Sequence, residues 1–324
     1  MTNNPTKVKQ DKRTSKLHRL IRDIRMDFML YVLLVPGIVY FAVFKYVPMY
    51  GLIIAFTDYN IVSGFGSSTW LGFAVFKDLF SRPAFQRALS NNILISLLKI
   101  LWGFPLPIIL SLLINEVGSR VYKKYIQTTV ILPHFISWFV IYGMLYALCN
   151  LTTGAIPMMV RTFNEIFGTN VPVLNYLAQK ETFLNVLILS YLWQSSGYGT
   201  IIYLAAITGI DQQLYESAMI DGAGKWRQAW HITLPCLRST IIVMLIFRVG
   251  SIMNAGFDQV FALSNPLVIS VTDIIDTYVY RIGMEEAKFT IATAAGFFKS
   301  IIGLVLVLFT NWVAKKVDPE SGIM

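Results

Sequence analysis

Histidine, cysteine and acidic side chains are all scarce in this chain. Of 324 residues only 3 are His and 2 are Cys, and Asp plus Glu number 18 against 27 Lys plus Arg. Cys149 and Cys236 are too few and too far apart for a disulfide framework or a metal site. His18, His134 and His231 are scattered, with no paired carboxylate at helical spacing. No H-E-x-x-H, C-x-x-C or G-x-S-x-G occurs, so an enzyme has little support. No G-x-x-x-x-G-K-[ST] loop is present to cradle phosphates, and the nearest run, Gly296 to Ser300, has the wrong spacing. If ATP drives this protein, the nucleotide binds another chain.

Charge of either sign is also sparse. Only 14% of the residues are charged and 55% are hydrophobic, which excludes an ordinary soluble domain and fits an all-α integral membrane protein with several spans. The net charge of +9 is no sign of nucleic acid. The basic residues gather in the amino-terminal tail and in short loops beside apolar runs, where they act as topology signals.

Taken in order, residues 1–27 hold eight basic side chains against Asp11, Asp23 and Asp27, and are expected to stay in the cytosol. The apolar run that follows exceeds a signal-peptide core and lacks a cleavage site, so retention of the amino terminus is expected. Six spans are predicted, at residues 28–56, 92–114, 128–148, 183–207, 239–263 and 289–313. Pro36 is expected to bend the first, and Pro105 with Pro107 to kink the second. Residues 58–89, 150–182 and 265–288 read as outer loops, the second carrying a short helix over 158–166. In the first loop Trp70, Phe73 and Phe76 fit either an interfacial belt or a partner surface. Arg120, Lys123 and Lys124 place the 116–125 turn inside, and both termini come out cytosolic. This organisation gives a tail over 1–27, a six-span domain over 28–314 containing a cytosolic segment at 209–238, and a cytosolic tail over 315–324.

That cytosolic segment carries the most informative pattern. Tyr215 to Asp221 contains neither Pro nor Gly and predicts a short helix; Gly222 and Gly224 interrupt it, and Lys225 to His231 resume as a second. Small residues at Ser217, Ala218, Gly222 and Ala223 let another surface approach the backbone closely, beside the knobs Tyr215 and Met219 and the charge of Glu216. An amphipathic loop lying on the headgroups would explain Trp226, Trp230, Lys225 and Arg227 equally well. The stretch YESAMIDGAGKWRQAWHITLP, with Glu216, Ser217 and Ala218, then Gly222, then Ile232, Leu234 and Pro235, resembles the EAA motif of binding-protein-dependent ABC importer permeases. That motif reads E-A-A, three residues, G, nine residues, I-x-L-P; Ser217 replaces its middle alanine.

The resemblance extends along the chain. FPLPIILSLLINE (104–116), LPHFISW (132–138), IIYLAAITGID (201–211), NAGFDQV (254–260) and DIIDTYVYRIG (273–283) are similar to carbohydrate-uptake permeases of the aldouronate, alginate and complex-oligosaccharide group. The family implies a maltose-permease-like six-helix core in the bacterial cytoplasmic (inner) membrane. It implies a second homologous permease, two ATP-binding subunits that carry ATP and Mg, and an extracytoplasmic solute-binding protein. No cofactor is then expected on this chain. Glu216, Ser217, Ala218, Gly222, Ala223, Gly224, Leu234 and Pro235 take the role of ATPase coupling, and the cargo is an oligosaccharide, with uronates such as alginate or aldouronate in the implied class.

Polar groups at membrane depth suggest a path for that cargo. Trp193, Gln194 and Tyr198, with Arg248, Asn254 and Lys299, offer the aromatic faces and hydrogen-bonding groups that sugars need, and are costly against lipid. Packing remains an alternative: Arg248 can bond carbonyls of a neighbouring helix, and Lys299 can snorkel or meet the second permease. An ion-coupled secondary sugar transporter is the competing class. It usually needs intramembrane acids and inverted repeats, whereas the mid-span ionisable groups here, Lys99, Arg248 and Lys299, are basic.

Overall fold

A computed structural model describes residues 26–62, 64, 66 and 68–317, so the expectations for residues 1–25 and 318–324 of the tails lie outside the described residues. Among them the architecture is helical; the one strand pairing is a two-residue antiparallel bridge, Thr57 opposite Trp70 and Asp58 opposite Thr69. The chain divides into two units, 1–53 and 54–324.

In the first unit Phe28–Phe41 is an α-helix with Pro36 inside it and no buried residue, a surface apolar all round that suits surrounding hydrocarbon. Its regular pitch changes not at Pro36 but at the wider turn Ala42–Tyr46, just ahead of Pro48. Pro48 has no N–H to give the carbonyl four residues earlier, and a wide turn accommodates the loss.

In the second unit Pro83–Gly103 and Pro105–Asn115 follow one another, interrupted at Phe104. Phe104 itself keeps a helical backbone at φ −85° and ψ −46°; the ladder lapses there because Pro105 and Pro107 have no N–H to give the carbonyls four residues earlier. The span predicted at 128–148 is corrected. A helix over Arg120–Ile131 enters a tight turn at Leu132–Phe135, and a second helix, Trp138–Cys149, leaves at 99° to it. Pro133 cannot continue the first helix, and Ser137 starts the second by accepting a hydrogen bond from the Val140 N–H at 3.4 Å.

The span predicted at 183–207 is the 29-residue helix Lys180–Thr208, roughly 43 Å long at 1.5 Å per residue. Its glycines let it lie against backbone. A Cβ on Gly197 would overlap the Val130 carbonyl, and one on Gly199 would sit 3.0 Å from the Pro107 ring. Gly197→Val is therefore expected to destabilise the assembled protein by about 1–3 kcal/mol or more, read as a lowered thermal midpoint in detergent. An unchanged midpoint would show that the two helices can part at no cost.

The span predicted at 239–263 is also corrected. It is two helices, Arg238–Gly250 and Phe257–Leu263, parted at 251–256 by a turn ending in Gly256 at φ +93°. The last helix, Phe289–Val317, outruns its predicted end at 313. Two predicted loops prove helical in part: Ala74–Ser81 lies within 58–89, while Ile269–Thr272, Ile275–Tyr280 and the wide turn Arg281–Glu285 lie within 265–288. The helix expected over 158–166 spans Ala155–Phe167.

Among the described residues three helices are long and apolar enough to cross a membrane, and two bent pairs would each supply one more. Lys180–Thr208 has the length but a polar middle. Six crossings are consistent with this inventory. Three apolar clusters hold the second unit: Phe85 and Tyr278 with Ile282, Ile291 and Ala295; Ile95 and Leu187 with Val260 and Ile274; and Ile114 with Leu204, Ile207 and Leu237.

Candidate functional site

The 211–237 segment folds as a hairpin of two short helices. Asp211 caps Gln212–Ile220 by accepting from the Gln213 N–H at 3.0 Å. The helix ends in a Schellman closure: the Ala223 N–H donates to the Ala218 carbonyl at 2.8 Å and the Gly222 N–H to the Met219 carbonyl at 3.1 Å. Gly222 carries the left-handed φ of +75° that this closure requires. The spacing from Ala218 to the glycine is thus the length of one helix terminus. From Gly224 the chain turns into Lys225–Gln228, a wide turn at Ala229–Thr233 and Leu234–Cys236. Pro235 widens that turn as Pro48 does, having no N–H for the His231 carbonyl.

Two contacts close the hairpin. Tyr215 Oη lies 2.9 Å from Thr233 Oγ1, and Gln228 Nε2 donates to the Ala223 carbonyl at 2.8 Å. A third links it to the 116–119 turn, where Lys225 Nζ is 3.2 Å from Glu116 Oε2; this exposed pair is worth little in stability. Glu216, Ser217, Gly222, Gly224 and Pro235 are exposed, and Ala218, Ala223 and Leu234 half-buried. Glu216 has no hydrogen bond or ion pair among the described residues. Met219, Ile220, Trp226 and Trp230 stand out of the same polar segment, an apolar group of the kind that marks an interaction surface.

The six residues expected to line a path fall in three places. Gln194 is buried and donates to the His134 carbonyl at 3.3 Å, while the half-exposed Tyr198 stacks on the His134 ring with centroids 5.0 Å apart. These two hold the tight turn at Leu132–Phe135, and Trp193 beside them is exposed. Lys299 Nζ meets Asp276 Oδ1 at 2.5 Å. Arg248 and Asn254 share a cavity of about 110 Å³ with Ser96, Lys99 and Tyr191.

That cavity rests on a network of which sequence reasoning named Lys99 and Arg248 and left out Ser96, Tyr191 and Gln259. Arg248 Nη1 donates to Tyr191 Oη at 2.7 Å. Lys99, buried, donates to the Ala255 carbonyl at 2.6 Å and to Gln259 Oε1 at 2.5 Å, and its ammonium lies 4.7 Å from the centre of the Tyr191 ring. Gln259 in turn donates to the Leu187 carbonyl at 2.7 Å. A Cβ on Gly256 would come within 2.9 Å of Lys99 Nζ, so glycine there keeps the ammonium at its carbonyl. The i, i+3 spacing of Ser96 and Lys99 was the available signal, since it puts both on one helix face.

Residues 103–320 match the family described as binding-protein-dependent transport system inner membrane component. The chain belongs to that family. This permease is 44% identical over 298 residues to Protein LplB of Bacillus subtilis (strain 168), covering 92% of each chain. It is 41% identical over 310 residues to the polygalacturonan/rhamnogalacturonan transport system permease protein YteP of the same organism, covering 96% of this chain and 94% of that one. Among solved structures, a chain of a bacterial ABC transporter involved in the import of the acidic polysaccharide alginate superposes with a TM-score of 0.83 at 40% identity. The match covers 93% of this permease and 99% of that chain. A second structure, a bacterial alginate ABC transporter in complex with an alginate pentasaccharide-bound periplasmic protein, matches with a TM-score of 0.82 over 92% and 98%.

Proposed function

We propose that this permease is one of two membrane subunits of an ATP-driven importer that moves oligosaccharides, uronate-containing ones among them, across the bacterial cytoplasmic membrane by alternating access. The supporting observation is the hairpin at 211–237: a glycine-closed helix on the motif spacing, with an unpaired Glu216 and exposed apolar knobs. It takes the role of a coupling element seated on an ATPase subunit, with Glu216 pairing to a basic residue there. The relatives' names add the cargo, since YteP is a polygalacturonan/rhamnogalacturonan permease and the alginate transporter works with a saccharide-loaded periplasmic protein.

In this reading the chain carries no cofactor and performs no catalysis. ATP and Mg sit on two partner subunits, a second permease completes the pathway, and a solute-binding protein delivers the oligosaccharide from outside. Closure of the ATPases moves the hairpin, and the membrane helices follow, so nucleotide energy at one face becomes opening at the other. Trp193, Gln194, Tyr198, Arg248, Asn254 and Lys299 contribute to the pathway.

Residues 1–27, 115–127, 209–238 and the carboxyl terminus are cytosolic in this arrangement, following the basic loops. A single cysteine at Asn170 is expected to react with an impermeant thiol reagent added outside intact cells, and one at Ser119 to stay silent. The reverse pattern would remove the hairpin from the ATPase side. Uptake of labelled oligosaccharides by the reconstituted complex with its binding protein tests the cargo, and transport of no saccharide would sink it.

A further inference from the structure

Arg248 and Lys99 face one small cavity, and neither belongs to an ion pair among the described residues. Three of the side chains that line it hold hydrogen-bond donors in need of an acceptor. Arginine offers five N–H donors and no acceptor, and the Arg248 guanidinium spends only Nη1 on Tyr191. Lysine offers three, of which Lys99 uses two, on Ala255 and Gln259. Ser96, which also lines the cavity, is buried and its hydroxyl has no hydrogen-bond partner. A buried polar group left unmet is costly, and the half-buried guanidinium of Arg248 carries a permanent charge that the described residues leave without a counter-ion.

Size narrows what answers it. The cavity is small, about 110 Å³, and open on one side. A carboxylate fits inside it whole, while the rest of a sugar residue would have to extend through its open side. Chemistry narrows it further, because the planar guanidinium fork matches a carboxylate with two parallel hydrogen bonds, a match that a neutral sugar hydroxyl cannot make.

The structure assigns this cavity as an anion subsite that takes the carboxylate of a uronate residue as an acidic oligosaccharide passes, with Arg248 binding the charge and Lys99 and Ser96 donating further hydrogen bonds. The assignment rests on the importer reading above. It deepens that reading by dividing the cargo: uronates are held here by their carboxylate, and neutral saccharides are not. Lys299 takes no part, because Asp276 already answers its charge.

Ser96→Asp tests this by building the anion in. The new carboxylate would pair with Arg248 and Lys99 and occupy the subsite, while removing an unmet hydroxyl, so the complex is expected to assemble with an unchanged or raised thermal midpoint. The measurement is uptake by the full reconstituted complex at saturating binding protein, for an oligogalacturonate and for its carboxyl-reduced counterpart, each as the ratio of variant to unmodified complex. Ser96→Asp is expected to lower the oligogalacturonate ratio about tenfold or more, the effect of losing ~1.4 kcal/mol of binding, and to leave the neutral ratio near one. The neutral, similarly sized Ser96→Asn brings no charge to pair with Arg248, so it is expected to cost oligogalacturonate uptake several-fold less than Ser96→Asp does. Equal loss of both substrates in Ser96→Asp overturns the subsite in favour of a blocked path, and no loss of either overturns it outright. If the unmodified complex moves neutral oligosaccharides but no uronate, the subsite fails while the importer stands. If it moves no saccharide at all, the importer reading fails first.

Discussion

Gly222→Val is expected to lower coupled transport by on the order of tenfold or more while leaving the membrane helices folded. The φ of +75° at Gly222 is a conformation that a β-branched residue resists at a cost of about 1–3 kcal/mol, and the Schellman closure onto Ala218 and Met219 depends on it. No neighbour lies within 4 Å of the position a Cβ would take, so the damage is confined to the backbone and to whatever docks there. Substrate-stimulated ATPase activity and uptake in the assembled complex provide the measurement. Full retention of both would detach the hairpin from coupling.

Removing Arg281 is expected to cost the most stability. Its guanidinium grips the buried Asp273 with both terminal nitrogens, Nη2 to Oδ2 at 2.6 Å and Nη1 to Oδ1 at 3.1 Å, and Thr277 adds a hydrogen bond at 2.9 Å. Arg281→Ala leaves that carboxylate buried and without a countercharge, a loss of about 3–5 kcal/mol. Asp273→Asn removes the charge that needs answering and is expected to cost less. The hydrogen bond to Asp273 holds the Arg281 guanidinium above the ordinary arginine range. A group raised in this way contributes fully below its unfolded value and loses that contribution only as pH rises through the folded one, so the arginine leaves stability flat through neutral pH. Thermal midpoints of the two variants across neutral pH check both the order and the flatness. Asp273→Asn proving the more damaging would mean that the carboxylate has another essential partner.

Much of this was legible from residue order. The first and last apolar runs announce themselves by length and composition, and the hairpin by its interrupting glycines. Boundaries failed where a proline and a cap acted together. Pro133 and Ser137 turn one predicted span into two helices at 99°, because hydropathy averages over a break that a single missing N–H creates. The stretch at 251–256 failed for another reason: its carbonyls find Lys99 and Asn92, donors on a distant helix, at Ala255 and Met253. Such tertiary compensation leaves no local trace. The helices hidden in the predicted loops are short, and they persist because Val75, Leu79 and Tyr278 reach a shared core.

At the candidate sites, residue type was informative and grouping was not. Arg248 and Asn254 come together, whereas Gln194 and Tyr198 support a turn and Lys299 is neutralised by Asp276. Ser96 and Tyr191 drew no notice because a serine or tyrosine in an apolar run has many bland explanations.

The backbone contact at Gly197 also governs how the molecule can move. Packed side chains can slide past one another by changing rotamer, but a helix seated directly on a neighbour's carbonyls has no rotamers to exchange. Lys180–Thr208 and Arg120–Ile131 are therefore expected to travel as one lever, with any opening taken up at breaks in the regular hydrogen-bond ladder such as Phe104, 136–137 and 251–256. On that expectation the breaks, and not the helices between them, set how far the molecule can open.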